Sequence, residues 1–573
     1  MSRSNPSHTP SWEDAVARLT APGAPFEIET REVAGRPQRN FKNREHSLRE
    51  KIAAVGRRGE GDCMVQGARR ISHAHFAELV WGAAEGLRAH GLQRGDRLAV
   101  LAYNSPDWLI ALFGATSLGG IGVGLNGWWS EEEIAYGLED SEARFLVVDE
   151  RLYPRVAPLA GRLPHLEKIF FIGDAPPPGA IPLAELLQPQ AQMPTDPIDE
   201  DDPFVLLYTS GTTGRSKGCI TTHRGTINQV LGILFASTAG ALTGSNPPSP
   251  GPALPPASLL TSPLFHVGGL HSGVCTQLTV GSKMVFSQGR FDAEQVMRLI
   301  QDEQITIWGA IPTMLHRVVH HPKVRDYDLS SLRAVSFGGA PTAPETIEKA
   351  REVLPIQPSY ANAYGLTETH GVATANGGKD LLAKRTSVGR PLPILDMRVV
   401  DEDGKECAVG ALGEIVFRGP TVTPGYWNRP EASAEALVDG WLQTGDLGFC
   451  DADGFFFVVD RAKDMILRGG ENVYCVEIEN CLAGHPEIDE AAIVGVPDPE
   501  LGERVKAIVR RIPGSALAEE AVRSHVAAHM ASFKVPEFVA FTDEPLPRNP
   551  AGKILKNLLR AEGKAPAQGG VPS

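Results

Sequence analysis

Residues 208 to 218 run Tyr-Thr-Ser-Gly-Thr-Thr-Gly-Arg-Ser-Lys-Gly, directly after the apolar stretch that begins at Phe204. Phe204 to Tyr208 reads as a buried strand. Glycines let a backbone approach phosphate oxygens closely, hydroxyls and amides donate to those oxygens, and Lys217 adds positive charge. The same composition also occurs in flexible serine-threonine turns, but the lysine and the preceding strand favour a phosphate loop. Ser216 rather than glycine precedes the lysine, so the loop is not a Walker A sequence. It lacks GxGxxG as well, which removes support for a nicotinamide-binding turn.

Working outward, segments of helical period alternate with short β-branched runs. Phe76 to His90 is amphipathic, Arg97 to Ala102 reads as a strand, and Ser105 to Ser117 returns to helix. Further strands are expected at Arg144–Val148, Lys168–Ile172, Lys283–Phe286, Ile305–Trp308 and Ala334–Phe337, which is α/β patterning. Thr238 to Ala257 is uncharged and rich in glycine and proline, and is expected as a surface loop. From Arg385 to Asp460 short strands and turns suggest a β-rich subdomain. Beyond it, a helix near Val476–Leu482, strands near Ala491–Val496 and Val505–Arg510, and a helix over Leu517–Met530 make a small α+β domain. The expected division is 1–460 and 461–573, with two α/β sheet subdomains and the β-rich one in the first part. At 573 residues the chain exceeds the roughly 150 residues of a typical domain several-fold, in keeping with that division.

A net charge of -14 argues against a general nucleic-acid surface, which needs a basic face. The seven cysteines form no CxxC pair, so their spacing suggests neither a disulfide framework nor a zinc site, and they read as reduced cytoplasmic thiols. The N-terminus has no secretory pattern. The uncharged run Trp108–Trp129 holds six glycines and suits a packed helix-turn-strand better than a membrane span. No GxSxG nucleophile elbow accompanies a plausible partner set, which disfavours a serine hydrolase.

The loop 208–218 resembles the phosphate loop of the acyl-CoA synthetase, luciferase and peptide-synthetase adenylation superfamily, with Ser216 where proline is usual. Tyr364-Gly365-Leu366-Thr367-Glu368, Thr444-Gly445-Asp446, Arg461-Ala462-Lys463-Asp464 and Pro547 to Ile554 match further motifs in the family's order. The resemblance implies that Thr209, Ser210, Gly211, Thr212, Thr213, Gly214 and Lys217 surround the ATP phosphates. It implies that Tyr364, Gly365, Thr367, Gly339 and Ala340 lie by the nucleotide, that Glu368 holds Mg2+, and that Asp446 and Arg461 contact the ribose. Lys553 would bridge carboxylate and α-phosphate, and a mobile C-terminal domain swinging about Lys463 would bring Arg468, Gly469 and Gly470 for thioester formation with coenzyme A.

Two readings of His266 stand side by side: a packed ring, or a gate between acyl and thiol tunnels, and the resemblance favours the gate. The resemblance puts Trp308, Phe337 and Gly338 beside the adenylate as candidates for the acyl wall, although ordinary core packing also accounts for the two aromatics. Amino-acid-activating members of the family the chain resembles place an aspartate where His266 stands, to pair with the substrate ammonium; no carboxylate stands in that stretch here, which disfavours an amino acid. Gly365 stands where short-acid enzymes carry tryptophan. A medium-chain, long-chain or ring-bearing acid is therefore expected, with coenzyme A as acceptor; the alternatives are a ligase that loads a free acyl carrier protein and a non-catalytic acyl- or nucleotide-binding protein.

Overall fold

Local signals start and stop the helices that cover the first sheet. Ser105 accepts a hydrogen bond from the Trp108 amide at 3.2 Å and Pro106 occupies the first turn, so the helix Pro106–Thr116 begins where its free amides are satisfied. Every residue of that helix except Asp107 is buried. The strand Ile121–Gly124 follows, so the glycine-rich run Trp108–Trp129 opens as a helix-turn-strand packed in the core and ends at the surface, where Trp128 is exposed. The computed structural model describes residues 9–159, 161–209, 215–246, 253–338, 344–354, 359–469, 471–548 and 553–561.

The first large sheet has the strand order Lys217–Thr222, Pro203–Thr209, Ile121–Gly124, Arg97–Leu101, Phe145–Asp149, Lys168–Ile172 and Ile181–Pro182. All neighbours are parallel except the edge hairpin Pro203–Thr209 with Lys217–Thr222. The second sheet is built on the parallel strands Lys283–Phe286, Ala257–Leu260, Ile307–Ala310, Ala334–Gly338 and Ser359–Leu366. Gly371–Gly377 then turns back antiparallel, and the hairpin Asp62–Gln66 with Arg69–Ser72 closes the other edge. Phe76, Trp108, Phe113, Phe145, Phe170 and Phe204 are fully buried in one core. Each such side chain stabilises the fold by about 1.5–3 kcal/mol relative to exposure.

The chain divides into two compact units. One comprises Met1–Gly339, Ala350–Met397 and Phe417–Gln443, and the other Ala340–Lys349, Arg398–Val416 and Thr444–Ser573. In the second unit the antiparallel pair Ile488–Asp498 and Gly502–Arg511 carries Phe538–Thr542 in parallel and the short hairpin Ile466–Arg468 with Glu471–Val473. The helices Cys475–Ala483 and Glu519–His529 bury Ile478, Leu482, Val522 and Val526 in its core. The architecture is mixed α/β, with a small α+β C-terminal part, as the sequence pattern predicts.

Thr238–Ala257 departs from its expected loop. The helix His223–Leu242 continues through residues 238–242, the strand Ala257–Leu260 begins at the other end, and 247–252 lie outside the described residues. Asn246 folds back over the helix end, its amide donating to the Gly240 carbonyl at 2.8 Å, and a Cβ at position 240 would stand 3.1 Å from the Asn246 Cβ. This helix is long and apolar enough to cross a membrane by length and composition. In the fold it is a core element: Arg224 pairs with Glu200 and Asp201, and Phe235 packs edge-on against Trp12 and Phe26.

Candidate active site

In the first unit the site grows from the end of the edge hairpin. Thr209 and Lys217 face each other across the last rung, and the chain between them is residues 210–216, of which 210–214 lie outside the described residues. The Tyr136 hydroxyl donates to the Ser216 carbonyl at 2.8 Å, which pins the returning arm at the position where a rigid proline is absent. Lys217 Nζ lies 5.2 Å from the centre of the Tyr426 ring, and the Tyr426 hydroxyl donates to Glu368 Oε1 at 2.7 Å. Lys217, Tyr426 and Glu368 thus form a line of cation, aromatic ring and carboxylate.

Backbone pairing holds that line in place. The segment around Tyr426 runs along the outer edge of Lys217–Thr222, with the Trp427 amide donating to Gly218 and the Ile220 amide donating to Gly425. Thr367, Glu368 and Thr369 form a short turn after the strand Ser359–Leu366. His370, which follows, accepts from the Thr222 amide at Nε2 (2.8 Å) and donates through Nδ1 to the Thr421 carbonyl (2.7 Å). Burial brings its pKa down to about 4, so a neutral imidazole ties the Glu368 turn to both neighbours.

The carboxyl ends of the parallel strands in the second sheet are where open α/β sheets bind ligands. Register puts Trp308, Val335, Phe337, Tyr360, Asn362 and Tyr364 on one face, and Gly309, Ser336, Gly338, Ala361 and Ala363 on the other. Trp308 is 1% exposed and its Nε1 donates to the Thr261 hydroxyl at 3.1 Å, while Phe337 is 3% exposed. The opposite, small-residue face is half-buried. Tyr364 lies 6.0 Å from Phe417, ring centre to ring centre. His266 has its Nε2 sealed from solvent without a hydrogen-bond partner among the described residues, and burial lowers its pKa to about 4.

The second unit assembles its own cluster. Asp446 and Arg461 are opposite each other on paired strands, with Arg461 Nε 2.8 Å from Asp446 Oδ1. Asp446 is 3% exposed, and its amide donates to the Thr444 hydroxyl oxygen at 3.0 Å. Burial first, then the Arg461 guanidinium, push the Lys553 ammonium down to about 8; Asp446 and Asp464 oppose that shift and Lys463 adds to it. Arg468 pairs with Glu537 through Nε at 2.7 Å and Nη2 at 2.6 Å. Gly469 adopts φ +60° and donates its amide to Leu501 at 2.7 Å, a left-handed turn that glycine permits. Cys475 starts the next helix, its amide donating to Asp460 at 2.6 Å.

The AMP-binding enzyme family model matches residues 50–427, and the AMP-binding enzyme C-terminal domain model matches 477–553. The chain belongs to the adenylate-forming acyl-CoA ligase family. It is 35% identical to the feruloyl-CoA synthase of an Amycolatopsis species, over 86% of this chain and 94% of that protein. It is also 35% identical to the indoleacetate–CoA ligase of Aromatoleum aromaticum, over 86% and 93%. The anthranilate CoA ligase AuaEII, solved with anthranoyl-AMP, superimposes with a TM-score of 0.80 at 26% identity, covering 90% of this chain and 97% of that one.

For this ligase the structure brings Thr209, Lys217 and Glu368 to one end of the first unit's hairpin, and Asp446, Arg461 and Lys553 together in the second. Ser210, Gly211, Thr212, Thr213, Gly214, Gly339, Ala340 and Gly470 lie outside the described residues. The sequence alone does not mark Tyr426, His370 or Glu537 as part of the site. Tyr426 sits in a Pro-Gly-Tyr-Trp turn that reads like any packed aromatic. His370 follows the Thr367–Glu368 motif directly, and its closeness in sequence was the available signal.

Proposed function

We propose that this acid–CoA ligase acts on a ring-bearing or medium- to long-chain carboxylic acid, with Mg2+ accompanying ATP and coenzyme A as acceptor. The observation that carries the site assignment is the Asp446–Arg461–Lys553 cluster, where a carboxylate, a guanidinium and a buried lysine with weakened proton affinity share one place. Asp446 can accept two hydrogen bonds from ribose hydroxyls, with Arg461 orienting it. Lys217 and the loop that begins at Thr209 hold the phosphates. Glu368 offers a hard carboxylate oxygen oriented by Tyr426, which fits magnesium; the ion, when bound, neutralises phosphate charge.

In the first half-reaction a substrate carboxylate oxygen bonds to the α-phosphorus and the bond to pyrophosphate breaks. Lys553 supplies positive charge where it accumulates on the carboxylate and α-phosphate oxygens. In the second, the coenzyme A thiolate bonds to the acyl carbon and the bond to AMP breaks. Arg468, Gly469 and Gly470 serve that step, with residues 461–573 acting as a mobile lid after the 1–460 part. His266, neutral and sealed, acts as a wall or gate rather than a base.

The similarity to feruloyl-, indoleacetate- and anthranilate-handling ligases supports a ring-bearing acid. The half-buried face of Gly309, Ser336, Gly338, Ala361 and Ala363 gives a flat ring room that bulky side chains would deny. The free state of all seven cysteines supports a reducing, cytoplasmic setting. The test is pyrophosphate release with ATP and magnesium across acetate, amino, fatty, aryl and polycyclic acids, with coenzyme A or a carrier protein. Acid-dependent release with a CoA thioester, strongest for aryl acids, is expected. Thioester formed on the carrier alone would replace the acceptor, and a preference for acetate would overturn the substrate class.

A further inference from the structure

The C-terminal unit carries a second cluster of donors that the adenylation chemistry does not use. His525 and His529 stand one turn apart on the helix Glu519–His529, and Cys481 faces them from the helix Cys475–Ala483. One ligand atom from each of the three lies within 4.8 Å of the others. A tetrahedral ion with bonds of about 2.0–2.3 Å needs donors about 3.5 Å apart, so small rotamer changes close the triad.

The hydrogen bonds around the rings make the arrangement specific. His525 Nε2 lies 2.9 Å from the Cys481 carbonyl, and His529 Nδ1 lies 2.7 Å from the His525 carbonyl. A carbonyl only accepts, so those two nitrogens carry the hydrogens and His525 Nδ1 and His529 Nε2 keep their lone pairs. Metal-binding imidazoles are commonly fixed in this way, by donating the second ring N–H to a backbone carbonyl. His485, edge-on to His525 at 5.0 Å, accepts from the Glu487 amide at Nδ1 and stands outside the triad as a neighbour.

We propose that Cys481, His525 and His529 form a site for a zinc-class transition-metal ion that ties the two helices together. One thiolate and two imidazoles suit zinc and exclude magnesium, which takes oxygen ligands. His529 is exposed, so solvent completes the fourth position. The cysteine spacing in the sequence gives no sign of this site, because the donors are brought together from 44 residues apart.

The test uses the tag-free full chain stripped with a chelator, then titrated with Co2+ as optical probe and Zn2+ as competitor. One Co2+ per chain is expected, with a thiolate-to-metal band that zinc removes and a melting temperature that zinc raises. Cys481→Ser should abolish the band, and His529→Ala should weaken zinc binding by about a hundredfold or more, since losses of supporting groups alone reach 10–100-fold. Absence of a thiolate band, or unchanged zinc binding in both variants, would overturn the site. Pyrophosphate release in magnesium reports separately whether each variant is folded, so the ligase reading and the metal site stand or fall independently.

Discussion

Lys553 loses affinity for its proton because it is buried beside Arg461, and its charge is what the adenylation step is proposed to use. The sign follows directly: below about 8 the ammonium is present, and above it the neutral amine prevails. Because kcat/KM reports the free enzyme, kcat/KM for ATP in pyrophosphate release should fall by about tenfold per pH unit above that point. His266, held near 4, stays neutral across the same range and adds no limb. Lys553→Arg should remove the alkaline limb at a lower overall rate; a wild-type profile flat to high alkalinity would separate the lysine charge from the chemistry. Tyr426→Phe removes the hydroxyl that donates to Glu368 while keeping the ring against Lys217. A hydrogen bond to a charged group contributes about 1.5–3 kcal/mol, so pyrophosphate release should slow by about ten- to a hundredfold and need more magnesium. An unchanged magnesium requirement would remove Tyr426 from the proposed role.

At the scale of elements, the turn between Ser359–Leu366 and Gly371–Gly377 depends on one close approach. A Cβ at Gly365 would sit 1.8 Å from the Gly371 carbonyl oxygen, where the register of the two strands shifts. Gly365→Ala should therefore destabilise by about 1–3 kcal/mol or more as the strands move apart, read as a lower midpoint in urea. Pyrophosphate release should fall with it, because Tyr364 and Glu368 flank the contact. From the sequence Gly365 reads as the residue that leaves a pocket open; backbone crowding supplies a second reason for glycine there, one that depends on a partner strand the pattern does not reveal. The same limit runs through the rest. Runs such as Phe145–Asp149 and Lys168–Ile172 are legible because buried parallel strands are apolar along their whole length. The helix over residues 238–242 is not, because composition suggested a loop where Gly240 in fact packs closely. The Thr209, Glu368, Asp446 and Lys553 motifs are visible as strings, whereas Tyr426 and Glu537 are meaningful only through the side chains they meet.

For the molecule as a whole, the C-terminal residues proposed for the two half-reactions occupy separate parts of one compact unit. Lys553 is set among Arg461, Asp446 and Asp464, while Gly469 is tied to Leu501 and its neighbour Arg468 to Glu537. These partner sets share no residue, so damage to one should leave the other standing. Lys553→Ala removes the cation from the adenylation step and should cut pyrophosphate release by about a hundred- to thousandfold, the usual cost of losing one strong charge-stabilising donor. Thioester formation from supplied acyl adenylate should remain within a few-fold of wild type. Gly469→Phe forces a side chain into a left-handed conformation, at a cost of about 1–2 kcal/mol, and crowds the turn beside Leu501. It should spare the first burst of pyrophosphate and slow thioester formation, so that acyl adenylate accumulates on the enzyme. The two variants are compared in rapid-quench measurements that follow pyrophosphate and thioester from the same reaction. Opposite patterns support two working faces on the C-terminal domain, presented in turn; equal loss of both steps in either variant would mean that one arrangement serves the whole reaction.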